Sequence, residues 1–239
     1  MNVPGGACGR FGLPGAPGAG RIQIVTRPSR PAPAGREGEP EKRRAILHAA
    51  VRVFAEKGYH GCRIADVARA ASVAYGLVYH YFRNKDELLE SVFAEQWAIL
   101  MNAIQAIDEG PGTAPDKIAG IYGFVFDVYK TAPAAVRVLI LEVTRTTHAL
   151  RAGSTRETFE RAVRVVADVV QQGIARGELR RDVDPVVAAT AILGALELAV
   201  SGMVVGLVPA RTEEEIDLAK RQATDLILGG LLVKPPEAP

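Results

Sequence analysis

Cysteine is close to absent: Cys8 and Cys62 are the only two in 239 residues, and neither sits in a Cys-X-X-Cys or Cys/His pattern. This excludes a disulfide-stapled secreted scaffold and a structural zinc site, and fits a chain kept in a reducing cytosol. Long hydrophobic runs are missing too. No uninterrupted stretch approaches the ~18 apolar residues of a bilayer span, and Gly and Pro break every apolar stretch before residue 40. Neither a transmembrane helix nor a secretory signal is expected, and the expected location is cytoplasmic. Catalytic signatures are equally scarce. There is no His–carboxylate spacing for a metal, no nucleophile elbow, no phosphate-binding glycine loop and no dinucleotide fingerprint. The histidines, at 48, 60, 80 and 148, form no local cluster. An enzyme, a metal site and a cofactor are therefore not expected.

What the chain does have is an uneven charge. Hydrophobic residues make up 48% and charged residues 23%, ordinary for a globular protein, and the net charge is only +2. Divided along the chain, residues 1–40 carry five Arg against two Glu, residues 41–85 nine Lys/Arg against three acids, and residues 86–239 fifteen against twenty-two. A basic block of about 45 residues thus precedes an acidic body, and a confined basic segment is the footprint of a polyanion partner.

Residues 1–40 are rich in Gly and Pro and almost free of aromatic residues, which predicts a disordered tail. From residue 41 the periodicity is helical nearly to the end, and no segment alternates with a period of two, so the fold class is all-α with about nine helices. Ile46, Leu47, Ala50, Val51 and Phe54 recur at helical spacing, and Gly58 stops that helix. Two short helices follow, about 64–71 and 74–82, with a break at Ser72–Val73. Asn84 then caps a long helix from Lys85 to about Ile107. Gly110–Pro111–Gly112 marks a boundary. Beyond it, helices are predicted over about 115–130, 133–150, 154–176, 185–206 and 213–233. Their signals are a capping box at Ser154–Glu157, Gly177 as a stop, Asp184–Pro185 as cap and first residue, and a second capping box at Thr212–Glu215. The expected domains are 41–101, with the paired short helices at about 64–83, and 102–233, followed by a disordered tail at 234–239.

Two short helices with a tight break, inside the basic block, describe a helix-turn-helix, whose second helix enters the DNA major groove. Val67, Ala68, Val73, Val78 and Phe82 supply apolar anchors, while Tyr75, Gly76, Tyr79 and His80 share the opposite face. Gly76 costs about 1 kcal/mol of helix propensity, a cost explained if the backbone must approach DNA closely. The segment Ile64–Leu89 resembles the DNA-binding segment of TetR-family transcriptional regulators, and Arg44–Tyr59 is similar to that family's first helix. The resemblance implies phosphate contacts from Tyr79, His80 and Lys85 and base-edge contacts near Tyr75 and Gly76. It also shows three departures. Ser72 stands where the turn usually has Gly, Ala74 where a Ser often caps the recognition helix, and Arg63 where Thr usually begins helix two. Arg63 can compensate by reaching a phosphate. Tyr81 fits either phosphate contact or core.

A single helix-turn-helix makes too few contacts for tight specific binding, so a two-fold dimer reading a pseudo-palindromic operator is expected. The helices at 185–206 and 213–233 are rich in small and apolar residues, and the family resemblance implies that they form a four-helix homodimer interface. In the body, Trp97, Met101, Tyr122, Phe126, Tyr129 and Phe159 are candidate apolar lining for an inducer, with Thr144, Arg145 and His148 as polar anchors. A fatty acyl thioester, an aromatic acid or a hydrophobic drug fits that set. The expected function is a homodimeric repressor released by such a ligand, with no membrane partner. The rival readings are a sequence-neutral architectural DNA binder, which predicts basic charge spread over the chain, and a helical enzyme.

Overall fold

In a computed structural model the described residues are 38–146 and 154–233. They form nine helices: α1 (Gly38–Gly61), α2 (Ile64–Ala70), α3 (Tyr75–Tyr81), α4 (Lys85–Glu109), α5 (Ala114–Thr131), α6 (Pro133–Thr146), α7 (Ser154–Arg176), α8 (Pro185–Val204) and α9 (Glu213–Leu231). Among the described residues the only extended pairing is one bridge between Leu179 and Leu232. The predicted terminal tails, and the predicted extension of α6 to residue 150, lie outside the described residues.

Local chemistry sets most of the helix ends. The Asn84 side chain accepts a hydrogen bond from the Glu87 N–H (2.8 Å), and Asp184 accepts from Val186 and Val187 (both 2.9 Å). Thr212 and Glu215 cap each other reciprocally, as do Thr113 and Asp116. Three helices end in the same way, with a residue of positive φ and the following N–H bonded five residues back. They are α2 at Ser72 (φ 55; Val73 N–H to Ala68 O, 3.0 Å), α7 at Gly177 (φ 75) and α8 at Gly206 (φ 80). Gly58 (φ 68) interrupts α1, but helical turns resume as far as Gly61, one turn beyond the predicted stop.

Two cores result. The head core joins Ile46, Leu47, Phe54, Val67, Val78, Phe82, Leu88, Leu89 and Val92, and it also takes in Val138 of α6. The body core joins Met101 and Ile104 with residues of α5 to α9. The changeover therefore falls inside α4, between Val92 and Met101, ahead of the Gly110–Gly112 loop where the composition put it. Tyr122, fully buried, donates to the Ile192 carbonyl (2.8 Å) and ties α5 to α8, and burial pushes its phenol well above the usual range. At the α5–α9 contact, Lys130 and Lys220 alternate with Asp127 and Asp217 in a four-member ion cluster, the shortest pair being Lys130–Asp217 at 2.5 Å.

The expectation of no membrane-length segment needs correcting. Helix α8 is 20 residues long with mean hydropathy 1.9, which by length and composition alone suffices to cross a bilayer. Thr190, Glu197 and Ser201 interrupt its apolar run, which is why counting consecutive residues misses it. One face packs into the body core through Ala188, Ala189, Ile192, Leu196, Val200 and Met203. The other face is exposed, with Val187, Ala191, Gly194 and Leu198 forming a stripe at helical spacing.

Candidate nucleic-acid interface

Helix α3 is held from beneath. Val78 and Phe82 are buried, Val73 is half-buried, and Val67 and Ala68 of α2 complete the support, as the spacing requires. The four residues of the opposite face, Tyr75, Gly76, Tyr79 and His80, are all exposed. Tyr75 is 54% exposed and Tyr79 44%, and large aromatic side chains one turn apart on a short helix are not left in water by packing demands. Their rings meet edge to face at 5.2 Å, and their hydroxyls hydrogen-bond at 3.2 Å. That bond raises the Tyr79 phenol above its ordinary range, keeping it protonated and able to donate. A Cβ on Gly76 would meet nothing within 4 Å, so glycine is not required there by the fold itself. Ala74 begins α3 without any side-chain cap, so the first N–H groups of the helix keep no side-chain partner from that position.

The remaining residues are set around this face. Arg63 is exposed at the start of α2, where its N–H donates to the Asp66 carboxylate (3.1 Å). Asp66 is held below the usual carboxylate range chiefly by its bond to Lys57, at 2.9 Å. His80 lies 3.6 Å from the Glu39 carboxylate. Tyr81 is half-buried and donates to the Glu39 carbonyl (3.1 Å), fastening the first turn of α1 to the end of α3, a role neither alternative read from the sequence includes. Lys85 is half-buried, donating to the carbonyls of Tyr59 (2.7 Å) and Cys62 (3.0 Å) with its ammonium 4.2 Å from the centre of the Tyr59 ring. Its first task is to satisfy carbonyls released where α1 breaks. Composition could not have shown this, because the partners lie more than twenty residues away. Sequence reasoning also passed over Arg69 and Arg83, whose side chains are 78% and 88% exposed on the same basic head.

Residues 46–92 match the family described as bacterial regulatory proteins, tetR family, and residues 115–204 match the tetracyclin repressor-like C-terminal domain. The chain belongs to the TetR family. It is accordingly a ligand-responsive, DNA-binding transcriptional regulator, with the head formed by α1–α3 as its helix-turn-helix domain. Among relatives it is similar to the fatty acid metabolism regulator protein of Bacillus subtilis strain 168, with 28% identity over 152 residues, 64% of this chain and 78% of that one. Its fold resembles the fatty acid degradation regulator FadR of Bacillus halodurans (TM-score 0.68, 25% identity), covering 79% of this chain and 95% of that one. It also resembles FadR from Bacillus subtilis in complex with stearoyl-CoA (TM-score 0.65, 25% identity), covering 78% and 98%.

The body presents the second set of residues that a TetR-family regulator needs. Met101, Tyr122, Phe126 and Tyr129 are all buried in the body core. Trp97 is half-buried between Phe93 (5.6 Å) and Phe159 (5.1 Å), which brings α4 and α7 together at one aromatic cluster. Thr144 and Arg145 fall within α6, but their side chains, and all of His148, lie outside the described residues. A concavity of about 520 Å³ at the turn between α7 and α8, lined by residues such as Leu179, Arg180 and Leu232, includes none of the predicted lining.

Proposed function

We propose that this chain is a cytoplasmic homodimeric repressor that reads a pseudo-palindromic operator through α3 and leaves it when an apolar acyl ligand enters the body. In this reading residues 41–101 are the reader and 102–233 the sensor and dimeriser, and the protein has no catalytic role. The observation that carries the DNA half is the α3 face: two exposed tyrosines flank a glycine with open space above its backbone. Tyr75 and Gly76 meet base edges, Tyr79, His80 and Arg63 meet phosphates, and Lys85 steadies the head while presenting its charge. Dimerisation is supported by the exposed apolar stripe of α8 together with Leu218 and Leu226 of α9, since soluble domains seldom leave such a contiguous surface bare. The likeness to fatty-acid regulators, one solved with stearoyl-CoA, favours a fatty acyl thioester among the ligands that suit the aromatic body.

The test is selection from random duplexes, followed by binding titrations across salt concentrations. The expected result is an enriched pseudo-palindrome bound by two chains. Tyr79→Ala should weaken binding to all sequences, and Tyr75→Ala should change which sequences are preferred. Equal binding to the enriched site and to random duplex would replace this reading with an architectural one.

A further inference from the structure

The body contains two hydrogen-bonding groups that nothing uses. The Trp97 indole nitrogen and the Ser201 hydroxyl are both shut off from solvent and have no hydrogen-bond partner among the described residues. Buried polar groups in folded proteins are paired almost without exception, so each unpaired one calls for an explanation. Their positions supply one. Trp97 packs against Phe159 of α7, which lies seventeen residues before the end of that helix at Arg176. Ser201 lies sixteen residues after α8 begins at Pro185. Because α7 and α8 are consecutive and pack together, the two residues are level across the hairpin, each about 25 Å from its turn. The two unspent groups thus belong to one layer of the bundle, whose other described members are apolar and aromatic. A third unpartnered atom, the Glu95 carboxylate oxygen, sits two residues from Trp97 and so about 200° around α4, on another face.

We propose that Trp97 and Ser201 form a polar subsite that receives the neutral carbonyl of an acyl thioester inside the body. The inference rests on the acyl-ligand reading above and deepens it. Indole N–H is a donor only, and a serine hydroxyl can donate as well, so the pair suits an acceptor that brings no proton of its own. A thioester carbonyl is such an acceptor and carries no charge. A free carboxylate would bring a full negative charge into an apolar layer, at a desolvation cost that two neutral donors offset poorly. A bare hydrocarbon would leave both groups unpaired. The subsite therefore selects the activated acyl chain over the free acid and over the alkyl chain alone.

Two probes separate these cases: stearoyl-CoA and its S-octadecyl thioether, in which the carbonyl is replaced by a methylene. Calorimetry with the full chain should show the thioester binding about five- to tenfold tighter than the thioether. Trp97→Phe keeps the ring and deletes the donor. It should bind both probes alike, with thioether affinity unchanged and thermal stability not reduced. Ser201→Ala should narrow the preference partway. Trp97 is the single tryptophan, so its emission should shift when the wild type binds stearoyl-CoA. Equal wild-type affinity for the two probes, or an undiminished preference in Trp97→Phe, overturns the subsite. Failure of the wild type to bind either probe overturns the acyl-ligand reading and the subsite with it, while operator binding by the same preparation would leave the DNA reading standing.

Discussion

The head and the body end helices with the same backbone motif but fill its left-handed position differently. The body uses Gly177 and Gly206, which adopt positive φ at no steric cost, whereas the head uses Ser72, which is strained there by about 1–2 kcal/mol. The head also begins α3 on the uncapped Ala74, while the described body caps α5, α8 and α9 with Thr113, Asp184 and Thr212. The two regions differ in what they leave exposed as well. The head bares aromatic rings, and the body bares an aliphatic stripe. A surface that must meet a polar, charged duplex keeps donors with its rings, and one that must meet another protein does not need them.

This contrast can be broken or sharpened by measurement. The largest effects should come from Phe54→Ala in the head and Phe126→Ala in the body, each costing about 3–5 kcal/mol by chemical denaturation. Because α4 and Val138 link the cores, both variants should shift one shared transition. Separate transitions for head and body would show that the two regions are independent. Lys85→Ala should cost about 1–3 kcal/mol by leaving the Tyr59 and Cys62 carbonyls without their charged donor. It should also lower the salt dependence of operator binding by about one unit. A stability loss with an unchanged slope would make Lys85 purely a strut. Ser72→Gly should stabilise the head by about 1 kcal/mol, and Gly177→Ser should destabilise the body by a similar amount. Equal and opposite shifts in melting would tie the contrast to backbone strain alone.

The smallest effect concerns pH. The folded-state pKa of Asp66 is lowered chiefly by Lys57, and that of Asp217 chiefly by Lys130. A lowered folded pKa contributes stability that is present above the ordinary carboxylate value of about 4 and is lost as pH falls through the lowered one. Both regions should therefore weaken slightly below about pH 4, and Asp66→Asn and Asp217→Asn should each flatten that loss.

Helix ends were legible because capping is local. Asn84, Asp184–Pro185, Thr212 and Gly177 act on residues within one turn, and each stands where the sequence placed it. The Ser72 conformation and the missing cap at Ala74 were legible for the same reason. The exposed face of α3 followed from periodicity. Contacts spanning the chain were not legible: the carbonyls that hold Lys85, the bond from Tyr122 to Ile192, and the fastening of Tyr81 to Glu39 join residues 23 to 70 positions apart. The long apolar helix α8 escaped because three polar residues break its run while leaving its average unchanged.

Val138 has a practical consequence for anyone who would exchange parts between relatives. It is a fully buried residue of the head core supplied by a helix that follows the Gly110–Gly112 loop. A chimera cut at that loop would receive a DNA reader with one wall left behind, and the graft would carry a side-chain-sized hole however well its specificity residues were chosen. The portable unit of this protein is the first four helices together with α6, a module that is contiguous in space and interrupted in sequence.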